Sequence, residues 1–128
     1  MSDFIDKLKV RAKQDVKTIV LAEGEDMRTL EAAQIVLKEG YAKIIILGNE
    51  AKILDMAKEK GLDLSAARII DPETSDKTAE YANKFYEMRK AKGMTQELAA
   101  ETLKNVLYYG VMMVNEGAAD GMVAGACN

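Results

Sequence analysis

The sequence has no histidine and no tryptophan, one cysteine and one proline. Without histidine, a Ser-His-Asp triad and every imidazole metal site are excluded. A lone Cys127 rules out an internal disulfide and any cysteine metal cluster. Nothing near it lowers its pKa, so it reads as a small buried hydrophobe. No apolar run is long enough to span a bilayer, and the first twenty residues lack a signal-peptide pattern, which leaves the cytoplasm as the expected compartment. Charge of one sign is also missing: 18 basic residues face 21 acidic ones, a net charge of −3. That argues against nucleic acid as a partner, while a local basic patch can still hold a phosphate. What is present, 128 residues with 48% hydrophobic and 30% charged, suits one ordinary α/β domain with its own core. There is no internal repeat, linker or low-complexity tract.

Taken in order, Ser2 is a candidate cap for a first helix with Phe4, Ile5, Leu8 and Ala12 on one stripe. Lys17 to Ala22 (KTIVLA) is the first predicted strand, β-branched at Thr18, Ile19 and Val20. Glu23 to Asp26 turn the chain into a helix over 27–39 that Gly40 closes, with Met27, Leu30, Ala33, Val36 and Leu37 inward. Three consecutive isoleucines mark a second strand, Lys43 to Leu47, of the kind covered on both faces of a parallel sheet. Asn49 caps a helix over 50–60 that Gly61 ends. A short strand, Ala67 to Ile70, stops at Asp71 and Pro72.

From Ser75 a longer helix carries Tyr81, Phe85 and Met88 at helical spacing and ends near Lys90. Gly93 breaks it. Thr95 caps another helix with Leu98, Ala99 and Leu103 inward, and a further helix covers Val106 to Asn115, ending at Gly117. Met88, Met94, Met112, Met113 and Met122 all read as core fillers. Strands alternating with helices predict a three-layer α/β/α domain around a mostly parallel sheet.

The stretch Ala118 to Asn128 (AADGMVAGACN) is poor in side chain, with one charge at Asp120. It reads as a buried interior strand, Gly121 to Ala124, running into a loop whose backbone can approach a ligand closely. Gly121 is expected to be intolerant of bulk. Loops at the carboxyl ends of strands are where open α/β sheets bind ligands. Gly125, Ala126 and Asn128 are therefore candidate substrate contacts.

Two arginines are further candidates. Arg28 sits in the first turn of a helix, an end where the dipole disfavours cations. It can hold a phosphate or carboxylate with the turn amides. The alternative is a surface ion pair with Glu25 or Asp26. Arg89, Lys90 and Lys92 cluster where a helix ends, and complementing the dipole is the ordinary role of such residues.

Five blocks, in this order and spacing, resemble the phosphate acetyltransferase (phosphotransacetylase) and phosphate butyryltransferase family. They are EDMRTLEAAQIVLKEG, IIILGNE, DPET, FYEMRKAKG and ADGMVAGACN. The resemblance covers essentially the whole chain but only the N-terminal part of family members. It implies a Rossmann-like fold of the isocitrate/isopropylmalate dehydrogenase type, ending at the substrate loop. It implies an acyltransferase that moves an acetyl group between acetyl phosphate and coenzyme A, with no tightly bound cofactor or metal and a homodimer as the complete form. Arg89 is the counterpart of the arginine in the family's ELRK-type motif, at the coenzyme A side of the cleft. The family has an arginine where Arg28 stands, and commonly a histidine where Asn128 stands, so no acid–base role belongs at Asn128. The family's catalytic serine, arginine and aspartate lie beyond Asn128, so this chain is expected to be inactive alone. Another expectation is a non-catalytic acyl-CoA-sensing module, similar to the domain appended to some malic enzymes. The capped helix directly after Met1 speaks against it. A stand-alone α/β fold is the third.

Overall fold

The computed structural model describes residues 17–124. The expected first helix, and the substrate-loop residues Gly125, Ala126, Cys127 and Asn128, lie outside the described residues. Four strands, β1 (Lys17–Leu21), β2 (Ala42–Leu47), β3 (Arg68–Ile70) and β4 (Gly121–Val123), form one sheet in the order β3-β2-β1-β4. Every pairing is parallel. Ile19 stands opposite Ile44 on one side and Gly121 on the other.

The alternation of side chains along β1 and β2 builds two cores. Leu21, Ile44 and Ile46 point to one face, where helices α1 (Met27–Glu39) and α2 (Glu50–Glu59) bring Leu30, Ala33, Val36, Ile53 and Ala57. Val20, Ile45 and Leu47 point to the other face. There α3 (Thr78–Arg89), α4 (Gln96–Thr102) and α5 (Val106–Asn115) bring Tyr81, Phe85, Leu103, Tyr109 and Met112. The result is the expected three-layer α/β/α arrangement. The unbroken Ile44–Ile46 run is explained by its position, since a central parallel strand has no wet face.

Helix boundaries follow local chemistry. Asp26, Asn49, Thr95 and Asn105 each accept a backbone N–H from the first turn of α1, α2, α4 and α5. Gly40 ends α1 at a φ of 70°, a conformation that favours glycine.

The structure corrects several expectations. β4 is an edge strand whose three residues are half-buried, not an interior strand: among the described residues it pairs with β1 alone. A Cβ at Gly121 would meet only Ile19 Cδ1, at 3.5 Å, an ordinary contact, so the site is not crowded. Met88 and Leu98 are exposed, at 56% and 53%. Periodicity identifies a helix face but not how far the neighbouring layer extends over it. Met88 lies in the last turn of α3, and the seven-residue α4 turns only Ala99, with Leu103 just after it, fully inward. In α1, Met27 and Leu37 are half-buried, whereas Thr29 and Ala32 are buried. α3 begins at Thr78 rather than Ser75, because Asp71 ties residues 71–75 into a turn by accepting the amides of Thr74 and Ser75.

Candidate functional site

The order of strands reverses at β1. β2 and β3 are laid down to one side of it, and β4 returns to the other. In an open parallel sheet, ligands bind outside the carboxyl ends at such a switch point. A cleft of 220 Å³ lies there, lined by the turn Ala22 to Asp26 together with Leu47 and Val106.

The turn is built by backbone pairing. Ala22 donates its amide to the Val123 carbonyl at 3.1 Å, and Gly24 donates to the Leu47 carbonyl at 3.0 Å. A Cβ at Gly24 would stand 2.5 Å from both Ile46 Cγ2 and the Leu47 oxygen, so only glycine allows this close crossing. Beyond it, Asp26 Oδ1 accepts the Arg28 amide at 2.9 Å and starts α1. Glu25 Oε2 accepts the Asn49 amide at 3.1 Å, and Glu25 Oε1 faces Lys52 Nζ at 3.5 Å. Two of the three carboxylates on the cleft are thus engaged by the protein itself, which lowers the repulsion an incoming anion meets.

Arg28 does not line the cleft itself but pairs with its lining residue Asp26: its side chain is 68% exposed, with Nε 3.6 Å from Asp26 Oδ1. This is the ion pair that the sequence set against phosphate binding. An exposed pair of this length is weak and can be exchanged for a ligand contact.

Arg89 is the last residue of α3. Val106 places the start of α5 at the cleft, and the C-terminal part of α3 packs there, the Phe85 ring standing edge-on to the Tyr108 ring at 5.8 Å. The Arg89 guanidinium carbon lies 5.6 Å from the centre of the buried Phe85 ring. Lys90 is turned to Glu87 at 2.7 Å, and that hydrogen bond raises its pKa above the usual lysine value. Arg89 is thus connected through Phe85 and Tyr108 to the start of α5, whose Val106 lines the cleft.

Sequence reasoning missed the contributions of Gly24, Glu25 and Asn49 to the floor, and of Val106 to the wall. Gly24 and Asn49 were visible as turn and cap residues. Val106 carries no local signal, since its place depends on a helix packing from far along the chain. Among the described residues no cluster of side chains fits a metal ion.

The family profile described as phosphate acetyl/butaryl transferase matches residues 3–128. The chain belongs to this family. It is 52% identical over 125 residues to the phosphate acetyltransferase of Acetivibrio thermocellus, covering 98% of this chain and 37% of that protein. It is 53% identical over 123 residues to the phosphate acetyltransferase of Thermoanaerobacterium thermosaccharolyticum, covering 96% and 37%. Among solved structures, the EutD phosphotransacetylase from Staphylococcus aureus superposes with a TM-score of 0.85 at 42% identity, covering 98% of this chain and 38% of that one. A phosphotransacetylase from Streptococcus pyogenes gives 0.86 at 33% identity, with 100% and 39% covered. The chain spans well under half the length of these phosphate acetyltransferases. The switch-point cleft thus belongs to a phosphotransacetylase fold of which this chain makes one part.

Proposed function

We propose that this chain forms one wall of the active-site cleft of a phosphate acetyltransferase. In that reaction the sulfur of coenzyme A attacks the carbonyl carbon of acetyl phosphate. The bond from that carbon to the phosphate oxygen breaks, orthophosphate leaves, and a base takes the thiol proton. The chemistry asks for a base, donors to the carbonyl oxyanion and cations for phosphate. The described residues offer cations and a shaped cleft but no histidine, so the base and oxyanion donors come from the rest of the protein.

Within this reading Arg28 contacts an anionic group at the cleft, and Arg89 meets a phosphate at the coenzyme A end. Gly125, Ala126 and Asn128 present backbone and amide groups to the substrate. The observation that carries the proposal is the glycine-built turn at the switch point. It leaves an open space beside an exposed arginine in a chain half identical to phosphate acetyltransferases. Coenzyme A is a substrate here rather than a bound cofactor. We also propose a cytoplasmic homodimer, paired through the part of the protein beyond this chain. No helix among the described residues is long and apolar enough to cross a membrane.

The test is acetyl-CoA formation from acetyl phosphate and coenzyme A. The complete protein turns over, and the 128-residue chain alone does not exceed a buffer blank. A complete protein without turnover overturns the assignment. Turnover by the chain alone overturns the division of labour.

A further inference from the structure

The ten residues of α5 carry no charge, and its two adjacent tyrosines have opposite surroundings. Tyr109 is 1% exposed, its ring edge-on to Tyr81 at 5.2 Å and its hydroxyl hydrogen-bonded with Ser75 Oγ at 2.7 Å. Tyr108 is 45% exposed, and Leu107 beside it 40%. Packing on α3 therefore accounts for Tyr109 but leaves nearly half of Tyr108 in water. A single exposed apolar residue is ordinary. What sets Tyr108 apart is the company it keeps.

The Tyr108 ring stands edge-on to Phe85, with an interplanar angle of 71°. Phe85 is buried in the core between α3 and the sheet, so it fixes the ring that leans on it. The same Phe85 ring supports the Arg89 guanidinium. Glu87, two residues before Arg89, has its carboxylate engaged by Lys90 at 2.7 Å, which leaves the guanidinium available to a ligand. An exposed aromatic ring and a guanidinium thus share one rigid support. That support borders the switch-point cleft, because Val106, two residues before Tyr108, lines it.

We propose that Tyr108 is a binding residue for coenzyme A, its ring stacking on the adenine while Arg89 meets a phosphate of the same nucleotide. This role rests on the acetyl-transfer reading. Stacking of a base on an aromatic side chain needs only a fixed, accessible ring, and a guanidinium matches phosphate oxygens. An apolar side chain laid on Tyr108 would cover the ring and leave the guanidinium unanswered. A free phosphate would answer Arg89 and leave the ring and Leu107 wet. A purine nucleotide meets both at once. The pantetheine arm then leads from this cluster around the start of α5 to the cleft, where the thiol reacts.

The experiment compares thiol substrates in the complete protein. Tyr108→Ala should raise the KM for coenzyme A about tenfold, the usual worth of a base–aromatic stack. kcat and the KM for acetyl phosphate should change far less. Tyr108→Phe, which keeps the ring, should restore the parent value. Pantetheine carries the same thiol arm without the nucleotide, so Tyr108→Ala should move its KM little. A second measurement needs no turnover: calorimetric titration with adenosine bisphosphate, the nucleotide end of coenzyme A. Its dissociation constant should rise about tenfold in Tyr108→Ala. A parent without turnover therefore overturns the acetyl-transfer reading, while the titration still decides the role of Tyr108. No saturable binding of the nucleotide, unaltered affinity in Tyr108→Ala, an equal loss with pantetheine, or failure of Tyr108→Phe to restore binding each overturns the stacking role.

Discussion

Gly24 donates its amide to the carbonyl oxygen of Leu47 at 3.0 Å, and the hydrogen in place of its side chain faces that same oxygen. The exit of β1 is thereby stitched to the last residue of β2, at the floor of the switch-point cleft.

That contact sets the first prediction. A methyl group at Gly24 would lie 2.5 Å from backbone and from Ile46, neither of which can swing away. Gly24→Ala should therefore cost about 1–3 kcal/mol, the usual penalty for overpacking. Gly121→Val should cost much less, because its nearest new neighbour is the flexible tip of Ile19. Urea denaturation of both variants checks this, and equal midpoints for the two would contradict it.

Leu98 and Leu103 were both expected to face inward, and the structure separates them. Leu103 is fully buried and Leu98 is 53% exposed. Leu103→Ala should lose about 2–5 kcal/mol, and Leu98→Ala should stay within about 0.5 kcal/mol of the parent. Thermal melts of the pair decide it, and comparable losses would restore the inward reading.

The third prediction concerns alkaline pH. Burial, then the neighbouring Tyr109, Glu80 and Glu116, raise the pKa of Tyr81 above the usual tyrosine value of 10.0, against a small opposing effect of Lys84. The folded protein thus holds the proton more tightly than the unfolded chain. Its contribution is complete below pH 10 and is lost as pH rises through the folded pKa. The stability of the parent relative to Tyr81→Phe should be constant from pH 7 to 9 and fall above 10. In a tyrosinate absorbance titration Tyr81 should ionise late among the five tyrosines. Early ionisation, or a difference independent of pH, would count against it.

The fourth applies to the complete enzyme. Arg89→Ala should raise the coenzyme A requirement about tenfold to a hundredfold, the worth of a charge-assisted contact, with a smaller effect on acetyl phosphate. Lys90→Ala should do little, since Lys90 is exposed and turned to Glu87. Equal small effects at both positions would return Arg89 to a surface cluster at a helix end.

Much of this fold was legible in local chemistry. Asp26, Asn49 and Thr95 announce helix starts by their side-chain oxygens, and Ile44 to Ile46 announce a strand with no wet face. The exposure of Met88 and the edge position of β4 were not legible, because they depend on which layer ends where. The candidate site divides in the same way. Arg28 and the Gly24 turn were visible as a motif, whereas the link from Arg89 through Phe85 and Tyr108 to the cleft wall appears only once α3 is packed against α5.

The position of β4 has a consequence for how the molecule assembles. β1 finds β2 across a short helical crossover, but its other neighbour comes from far along the chain, as the Thr18 amide and the Asp120 carboxylate, 102 residues apart, show at 2.8 Å. Closing a loop costs about 0.6 kcal/mol more for each doubling of its length, and β4 repays that with only three paired residues. The β1–α1–β2 unit can therefore form while the chain is still being synthesised, and β4 pairs with β1 only after it. Slowed refolding with native-like β1 and β2 but an unpaired β4 is the kinetic signature this order of events leaves behind.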